Sequence, residues 1–286
     1  MKKIKENRLA SFILMLVIYI IATLGGILTY KVLPFDSFYI NLLLADVVAT
    51  IIVFIFSLIL NNASVYDPYW SVQPIVIVGI YLIFTPITSF VQFIPFIAIC
   101  LWGVRLTLNW AYTFKGLMYQ DWRYTMLKET TKKFYPLINF IGIHMVPTLV
   151  VYACTLPAVV VLKCATKFNI GAIIFFLVSI CSAILQCIAD IQMHKYRKNR
   201  TTPFIRTGVW KYSRHPNYLG EILMWWGIGL ICVVLLPNYW YLLLGAVLNT
   251  LLFLFVSIPM ADKRQSKKDG FKVYKKETRM LLPIKK

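Results

Sequence analysis

Apolar residues along this chain are grouped into long runs that short polar segments separate. A run of about 18 or more apolar residues is long enough to cross the hydrocarbon core of a bilayer as a helix. The pattern predicts spans at 9–30, 38–60, 72–88, 90–114, 137–162, 169–194, 218–236 and 239–259. Because the 72–88 run is short and Pro86 closes it, the prediction is seven or eight spans. The expected fold class is an all-α, polytopic transmembrane helical bundle.

Composition agrees with this pattern and excludes an ordinary water-soluble domain. The chain has 286 residues, of which 59% are hydrophobic and only 14% are charged. We therefore expect residues 1–286 to form a single integral membrane domain surrounded by lipid bilayer. The first apolar run also fits a signal peptide, but it is longer than a typical signal core and lacks a small-x-small cleavage site. A retained membrane anchor is the favoured interpretation.

Basic residues are concentrated between the apolar runs and indicate the topology. Of the 30 lysines and arginines, 26 lie in residues 1–8, 115–135, 195–215 and 261–286. Cytoplasmic segments of membrane proteins are enriched in such residues. Eight crossings put all four segments on one side, so both termini and the basic tail 261–286 are expected in the cytosol. Most of the net charge of +19 is then explained by topology and by attraction to anionic headgroups.

One of these basic segments is also suited to a soluble anion. Residues 195–215 contain seven basic residues and no acidic one, a composition that favours a polyphosphate ligand. Nucleic acid is a poor alternative partner, because the chain has neither a soluble domain nor a nucleic-acid motif to present the charge. The six cysteines stand singly, mostly within apolar runs, which is typical of small buried hydrophobic residues. We expect no metal site and no disulfide framework.

Ionisable residues inside the predicted spans are candidates for function, since charge at membrane depth is costly unless it is paired or hydrated. Asp46 and His144 look solitary, and we expect each to make a hydrogen bond between helices. Others recur at helical spacing near the basic side of the chain. These stripes are Gln186, Asp190, His194 and Arg197; Arg105, Asn109 and Tyr112; and Asn217 and Glu221. They form either interhelical salt bridges, such as Arg105 with Glu221 or Asp190, or the lining of one water-accessible cavity.

The segment NNASVYDPYWSVQP, residues 61–74, is predicted to be a loop around the turn Asp67-Pro68. Tyr66, Tyr69, Trp70 and Gln73 surround the carboxylate with aromatic and hydrogen-bonding groups. An interfacial aromatic belt explains the aromatic residues without any chemistry. It explains the carboxylate less well. A carboxylic acid that an apolar pocket keeps neutral can donate a hydrogen bond to a carbonyl oxygen, and Asp67 is a candidate for that role.

The octet RHPNYLGE, residues 214–221, resembles the signature of the steroid 5α-reductase superfamily. YDPYWSVQP at 66–74, RLTLNW at 105–110, QDWRY at 120–124, IADIQ at 188–192 and GFKVYKKETRMLLP at 270–283 resemble its bacterial 5α-reductase-like branch. More distant relatives are the sterol C7- and C14-reductases and the isoprenylcysteine carboxyl methyltransferases. The resemblance covers residues 61–286, which would form the catalytic bundle, and leaves the N-terminal spans in 1–60 outside it.

The resemblance implies a membrane reductase that binds NADPH on the cytosolic side. Such an enzyme transfers a hydride to a carbon–carbon double bond conjugated with a ketone, as in 3-oxo-Δ4 steroids. The expected partner is a hydrophobic enone, such as a steroid or terpenoid ketone, and we expect a monomer. Residues expected at the cofactor are Arg105, Asp190, Arg197, Arg206, Arg214, His215, Asn217, Tyr218, Glu221, Lys263 and Arg264. The cations would hold phosphates, while Glu221 and Asp190 would accept from the ribose or the carboxamide or hold the arginines in place.

The same resemblance assigns the residues that hold the substrate carbonyl. In the mammalian enzymes a glutamate and a tyrosine from neighbouring helices do this, and by position Asp67 would replace the glutamate. The tyrosine position falls near Trp102, so Tyr66 or Tyr69 would supply the hydroxyl. Trp102 and Trp70 are expected to contact the substrate. No GxGxxG motif follows a strand, so a Rossmann domain is excluded and the cofactor would lie in a helical bundle.

Two other functions remain open from the sequence. An S-adenosylmethionine-dependent methyltransferase would share RHPNYLGE but would need less basic charge and no acid at position 67. A transporter or lipid-binding scaffold would use the buried charges for packing or ion passage. Paired discontinuous helices in corresponding halves, which are typical of transporters, are not evident in the sequence.

Overall fold

The computed structural model describes residues 2–283, and within them the regular secondary structure is entirely helical, with no β-strand. Eight helical segments are long and apolar enough to cross a membrane. They are α1 Arg8–Val32, α2 Phe38–Ile59, α3 Ala63–Phe84, α4 Phe90–Thr113, α5 Trp122–Cys164, α6 Ile170–Lys198, α7 Pro216–Leu235 and α8 Pro237–Gln265. Short helices Lys2–Glu6 and Phe271–Glu277 flank them. The all-α, multi-pass fold is confirmed, with eight segments.

Two boundaries differ from the prediction for physical reasons. The segment 61–74 is not a loop: a 3₁₀ turn Ala63–Tyr66 leads directly into the α-helix Tyr69–Phe84, so the third span starts well before residue 72. Pro68 immediately precedes this helix, where its missing N–H costs no hydrogen bond, and its carbonyl accepts from Ser71 Oγ at 3.0 Å. The helix ends at Phe84, just before Thr85-Pro86, because a proline disfavours helical backbone in the preceding residue.

The last span is longer than predicted. Its closing helix Ile258–Gln265 carries Asp262, Lys263 and Arg264, which the sequence assigned to the basic tail 261–286. Bulges of π-helix interrupt two of the segments, at Asn139–Met145 in α5 and at Phe253–Ser257 in α8. Such bulges shift the register of a helix and often occur at functional positions.

The described residues divide into two compact units, one made of 2–77 and 106–152 and the other of 78–105 and 153–283. In the first unit, α1 and α2 pack through small residues: a Cβ on Gly26 would lie 3.1 Å from the Ala45 carbonyl oxygen. The apolar core there includes Met15, Ile18 and Val53. The prediction of one integral membrane domain stays a prediction.

In the second unit, α6 and α7 pack closely because two glycines on α7 face α6. A Cβ on Gly220 would lie 2.6 Å from the Ser182 carbonyl oxygen, and a Cβ on Gly227 would lie 2.9 Å from the Phe175 carbonyl oxygen. At these distances there is no space for a side chain at either glycine. Gly220, which belongs to the octet, therefore brings the start of α7 against the polar residues of α6.

We expect Gly227→Ala to lower the free energy of unfolding by about 1–3 kcal/mol, the usual cost of overpacking a filled core. The added methyl would meet Ser179 Oγ and the Phe175 carbonyl. The matched control is Gly79→Ala, whose methyl would have no neighbour nearer than 3.8 Å. The measurement is the thermal unfolding midpoint of the purified protein in detergent. Equal midpoints for the two variants would contradict the close packing of α6 and α7.

Candidate functional site

The octet begins with a buried ionic cluster in the second unit. Arg214 and His215 precede α7, and both bind Asp262 near the end of α8: Arg214 Nη2 lies 3.0 Å from Asp262 Oδ2, and His215 Nε2 lies 3.0 Å from Oδ1. Lys275 Nζ lies 3.5 Å from the same carboxylate. Arg214 also donates to the Thr278 carbonyl at 2.7 Å. Asp262 thus links the octet to the chain after α8, a role that the sequence did not indicate.

A cavity of about 800 Å³ lies beside this cluster and is strongly basic. Its lining contains five cationic side chains, three apolar ones and no acid: Arg214, Lys272, Lys275, Lys276, Arg279, Met280, Leu281 and Leu282. Arg214 is only 7% exposed, and its Nε is buried without a hydrogen-bond partner. A buried guanidinium N–H that has no acceptor in the protein is a donor left for a ligand.

A second basic group gathers near the ends of α6 and α8. Burial lowers the pKa of Lys268, and the neighbouring charges of Arg200, Arg264 and Arg197 lower it further. Four cations therefore lie close enough to repel each other, an arrangement that a bound polyanion would stabilise. Lys263 is exposed on α8. Arg206 is held elsewhere, by an exposed ion pair of 2.9 Å with Glu277.

The next residues of the octet form the first turn of α7. Asn217 and Tyr218 are half-buried, and the ring of Tyr218 stacks on His215 with centroids 5.2 Å apart and planes 4° apart. The ring centroid of Phe253 lies 4.9 Å from that of Tyr218. His215 is therefore held both by its hydrogen bond to Asp262 and by ring stacking.

Glu221 differs from the expectation of a water-accessible carboxylate. It is 4% exposed, and its two oxygens accept from the indole nitrogens of Trp102 at 2.8 Å and Trp225 at 2.9 Å. Both indoles are fully enclosed and meet edge to face. Trp102 is thus a donor to Glu221, as a buried carboxylate requires, and its expected contact with substrate stays a prediction. Glu221 fixes α7 to α4.

Arg105 and Asp190 form the interhelical salt bridge that was one of the two predicted outcomes. Arg105 Nη1 lies 2.8 Å from Asp190 Oδ2, and Nη2 also donates to Gln186. Both charged side chains are mostly buried. The stripe on α6 therefore pairs with α4 and does not line an open cavity along its whole length, although Arg105 Nε and Gln186 Nε2 still lack partners.

Asp67 in the first unit has a partner that the sequence did not assign to it. Tyr124 Oη donates to Asp67 Oδ1 at 2.6 Å, and Asp67 is half-buried. Tyr124 is the last residue of QDWRY and lies on the first turn of α5, whose N-cap is Asp121. The acid and the hydroxyl come together because Ser64 Oγ accepts from the Asp121 backbone N–H at 2.9 Å.

Tyr66 and Tyr69, expected beside Asp67, belong to a separate buried network. Tyr66 Oη lies 2.8 Å from Thr148 Oγ1, and Tyr69 Oη donates to Asp46 at 3.5 Å. Gln73 also donates to Asp46, so the predicted interhelical hydrogen bond of Asp46 is confirmed. The reason for the difference is helical geometry: once 63–84 is helical, residues 66 and 69 face one way and 67 another. Trp70 packs against the apolar core of this unit.

His144 does not make the predicted bond between helices. Its Nδ1 lies 3.0 Å from the backbone oxygen of Asn139 within the π-bulge, and its Nε2 is buried without a partner. Among residues 2–283 no three His, Cys, Asp or Glu side chains are grouped as metal ligands would be.

Comparison with known proteins identifies the family of the chain. No solved structure matches it significantly. An uncharacterised protein of Schizosaccharomyces pombe is 27% identical over 151 residues, which are 44% of this chain and 43% of the yeast protein, so less than half of that relative's length is matched. A family model matches residues 53–278, most of the chain. The chain therefore belongs to the family described as protein of unknown function DUF1295.

Proposed function

We propose that this protein is a membrane-embedded, NADPH-dependent reductase of carbon–carbon double bonds conjugated to a ketone in hydrophobic substrates. The observation that carries the proposal is the basic cavity beside Arg214. It begins at the octet whose resemblance to the steroid 5α-reductase superfamily suggested a nucleotide, and five of its eight lining residues are cationic while none is acidic.

The residues of this cavity fit the phosphates of NADPH. Five cationic residues and no acidic residue line the cavity. Its volume of about 800 Å³ is within the usual range for small-molecule sites. Arginine forks bind phosphate oxygens in pairs, and the unpartnered Nε of Arg214 supplies a buried donor. The cations around Lys268 form a second position for a phosphate. A methyltransferase would have less need of this charge, because S-adenosylmethionine carries no phosphate.

When bound, NADPH would supply the hydride; the protein must polarise the acceptor. The carbonyl oxygen of an enone gains negative charge as hydride adds to the β-carbon, and a preorganised donor there lowers the barrier. We assign this role to the pair Asp67 and Tyr124, because the Tyr124 hydroxyl and the Asp67 carboxyl already share a short hydrogen bond and Asp67 is only half-buried. Tyr66 and Tyr69 would instead support the surrounding helices.

The apolar spans of the protein favour a substrate that partitions into lipid. Eight helical segments of residues 2–283 are long and apolar enough to cross a membrane, so we expect a steroid or terpenoid ketone to arrive from the bilayer rather than from water. Eight crossings also put the four basic segments on one side, which we take to be the cytosolic side, where NADPH is available.

The test uses the full-length protein in detergent. We expect NADPH to quench tryptophan fluorescence with an affinity at least about tenfold higher than that of S-adenosylmethionine. We also expect NADPH consumption with a panel of apolar α,β-unsaturated ketones, whose products gain two hydrogen atoms by mass spectrometry. Preferential binding of S-adenosylmethionine would favour the methyltransferase, and no binding of either cofactor would exclude both enzymes.

A further inference from the structure

A second polar cavity lies within the first unit, where α2 ends and α5 begins. It has a volume of about 310 Å³, the lower end of the range for small-molecule sites. Lys128, Lys132 and Lys133 line it, and no acidic residue does. Asn61 and Lys132, the two non-glycine residues with positive φ among residues 2–283, both border this cavity.

Two buried polar atoms at this cavity have no hydrogen-bond partner in the protein. Asn139, which is 2% exposed, donates from Nδ2 to Ser57 Oγ at 3.3 Å, but its Oδ1 is unpaired. The hydroxyl of Tyr135 is likewise unpaired. A buried amide oxygen that lacks a donor costs about 1–3 kcal/mol, so its presence on a residue that lines a cavity points to a ligand that supplies the donor.

The two kinds of lining group specify complementary parts of a ligand. Lysines bind phosphate as point charges, which calls for an anionic group at the rim. Asn139 Oδ1 can only accept, which calls for a hydroxyl or amine on the same ligand, and an amine is disfavoured because three lysines stand nearby. The class of ligand that meets both requirements is a phosphate ester that carries free hydroxyl groups.

We propose that this cavity binds a hydroxyl-bearing phosphate ester, with the phosphate at Lys132 and Lys133 and a hydroxyl on Asn139 Oδ1. The size suits a glycerol phosphate group. Such a group is available either as the headgroup of a glycerophospholipid or as a soluble glycerol phosphate. Leu58, Phe134 and Leu137 are about half exposed around the site, as expected for side chains that contact lipid chains.

Native mass spectrometry of the detergent-purified full-length protein tests the proposal. The probes are phosphatidylglycerol, phosphatidylethanol and phosphatidylcholine, with sn-glycerol 3-phosphate as the soluble arm. Phosphatidylethanol has the same single negative charge as phosphatidylglycerol but no hydroxyl. We expect phosphatidylglycerol to bind about tenfold more tightly than phosphatidylethanol, and phosphatidylcholine to bind least. Binding of glycerol 3-phosphate with equal affinity would identify the soluble ester as the source.

Amino-acid substitutions test whether the lipid binds in this cavity. Lys132→Gln with Lys133→Gln is expected to weaken phosphatidylglycerol binding about tenfold, whereas the control Lys31→Gln with Lys167→Gln, at exposed lysines outside the cavity, leaves it unchanged. Asn139→Leu is expected to remove the preference for phosphatidylglycerol over phosphatidylethanol. Equal binding of these two lipids to the unaltered protein, or unaltered binding after the Lys132 and Lys133 changes, would overturn the proposal. Neither result depends on NADPH, so the reductase proposal stands or fails separately.

Discussion

Replacing Asp67 with asparagine is expected to lower turnover about 10²–10³-fold while the dissociation constant for NADPH stays the same. An amide is a weaker hydrogen-bond donor than a carboxylic acid. It also alters the partner of Tyr124, which now donates to Asp67 Oδ1 at 2.6 Å. Both changes weaken the groups that would face a carbonyl oxygen as it gains charge. Since Asp67 is not one of the residues that line the basic cavity, the phosphate contacts are preserved.

Two further variants make this result specific. Tyr124→Phe removes the hydroxyl and leaves the ring, so it should lower turnover in the same direction as Asp67→Asn. Asp36→Asn changes an exposed carboxylate between α1 and α2 and serves as the matched control. Single-turnover reduction of an enone and a fluorescence titration with NADPH measure the two properties. Unaltered turnover in both Asp67→Asn and Tyr124→Phe would show that this pair only holds the start of α3 against the start of α5.

Apolar periodicity and charge distribution were sufficient to predict the fold, because span length and the location of lysines are properties of the sequence alone. The prediction failed where Asp67-Pro68 was taken as a turn within a loop. Pro68 starts a helix, and this helix separates Asp67 from Tyr66 and Tyr69. Tyr124 could have been found, since QDWRY is among the motifs of the resemblance, but nothing in the spacing showed that it would meet residue 67.

The octet shows a similar limit. Its cationic half lies at a basic cavity, as its composition indicated. Its acid does not: Glu221 lies among Trp102 and Trp225, which are 119 and 4 residues away in sequence. An interhelical partner at such a distance cannot be read from local spacing. For the same reason Asp262, which holds Arg214 and His215, was assigned to the basic tail 261–286, although it is a buried acid on α8.

The basic cavity itself can be tested without disturbing the buried cluster. We expect Lys272→Glu with Lys276→Glu to raise the dissociation constant for NADPH about 10–100-fold, because each reversal replaces attraction for phosphate with repulsion at a partly solvated surface. Both lysines line the cavity and are exposed, so the fold should persist. Arg214 stays in place with its bonds to Asp262 and Thr278.

The control is Lys31→Glu with Lys167→Glu, which changes the net charge equally at two exposed lysines outside the cavity. If long-range electrostatic attraction alone governed binding, both double variants would weaken NADPH binding equally. If the phosphates lie against Lys272 and Lys276, only the cavity variant weakens NADPH binding. Raising the salt concentration then reduces the difference in NADPH affinity between the two double variants, because exposed charges are screened. Equal NADPH affinities of the two double variants at low salt would show that the nucleotide does not bind in this cavity. The reductase proposal would then lose the observation on which it depends.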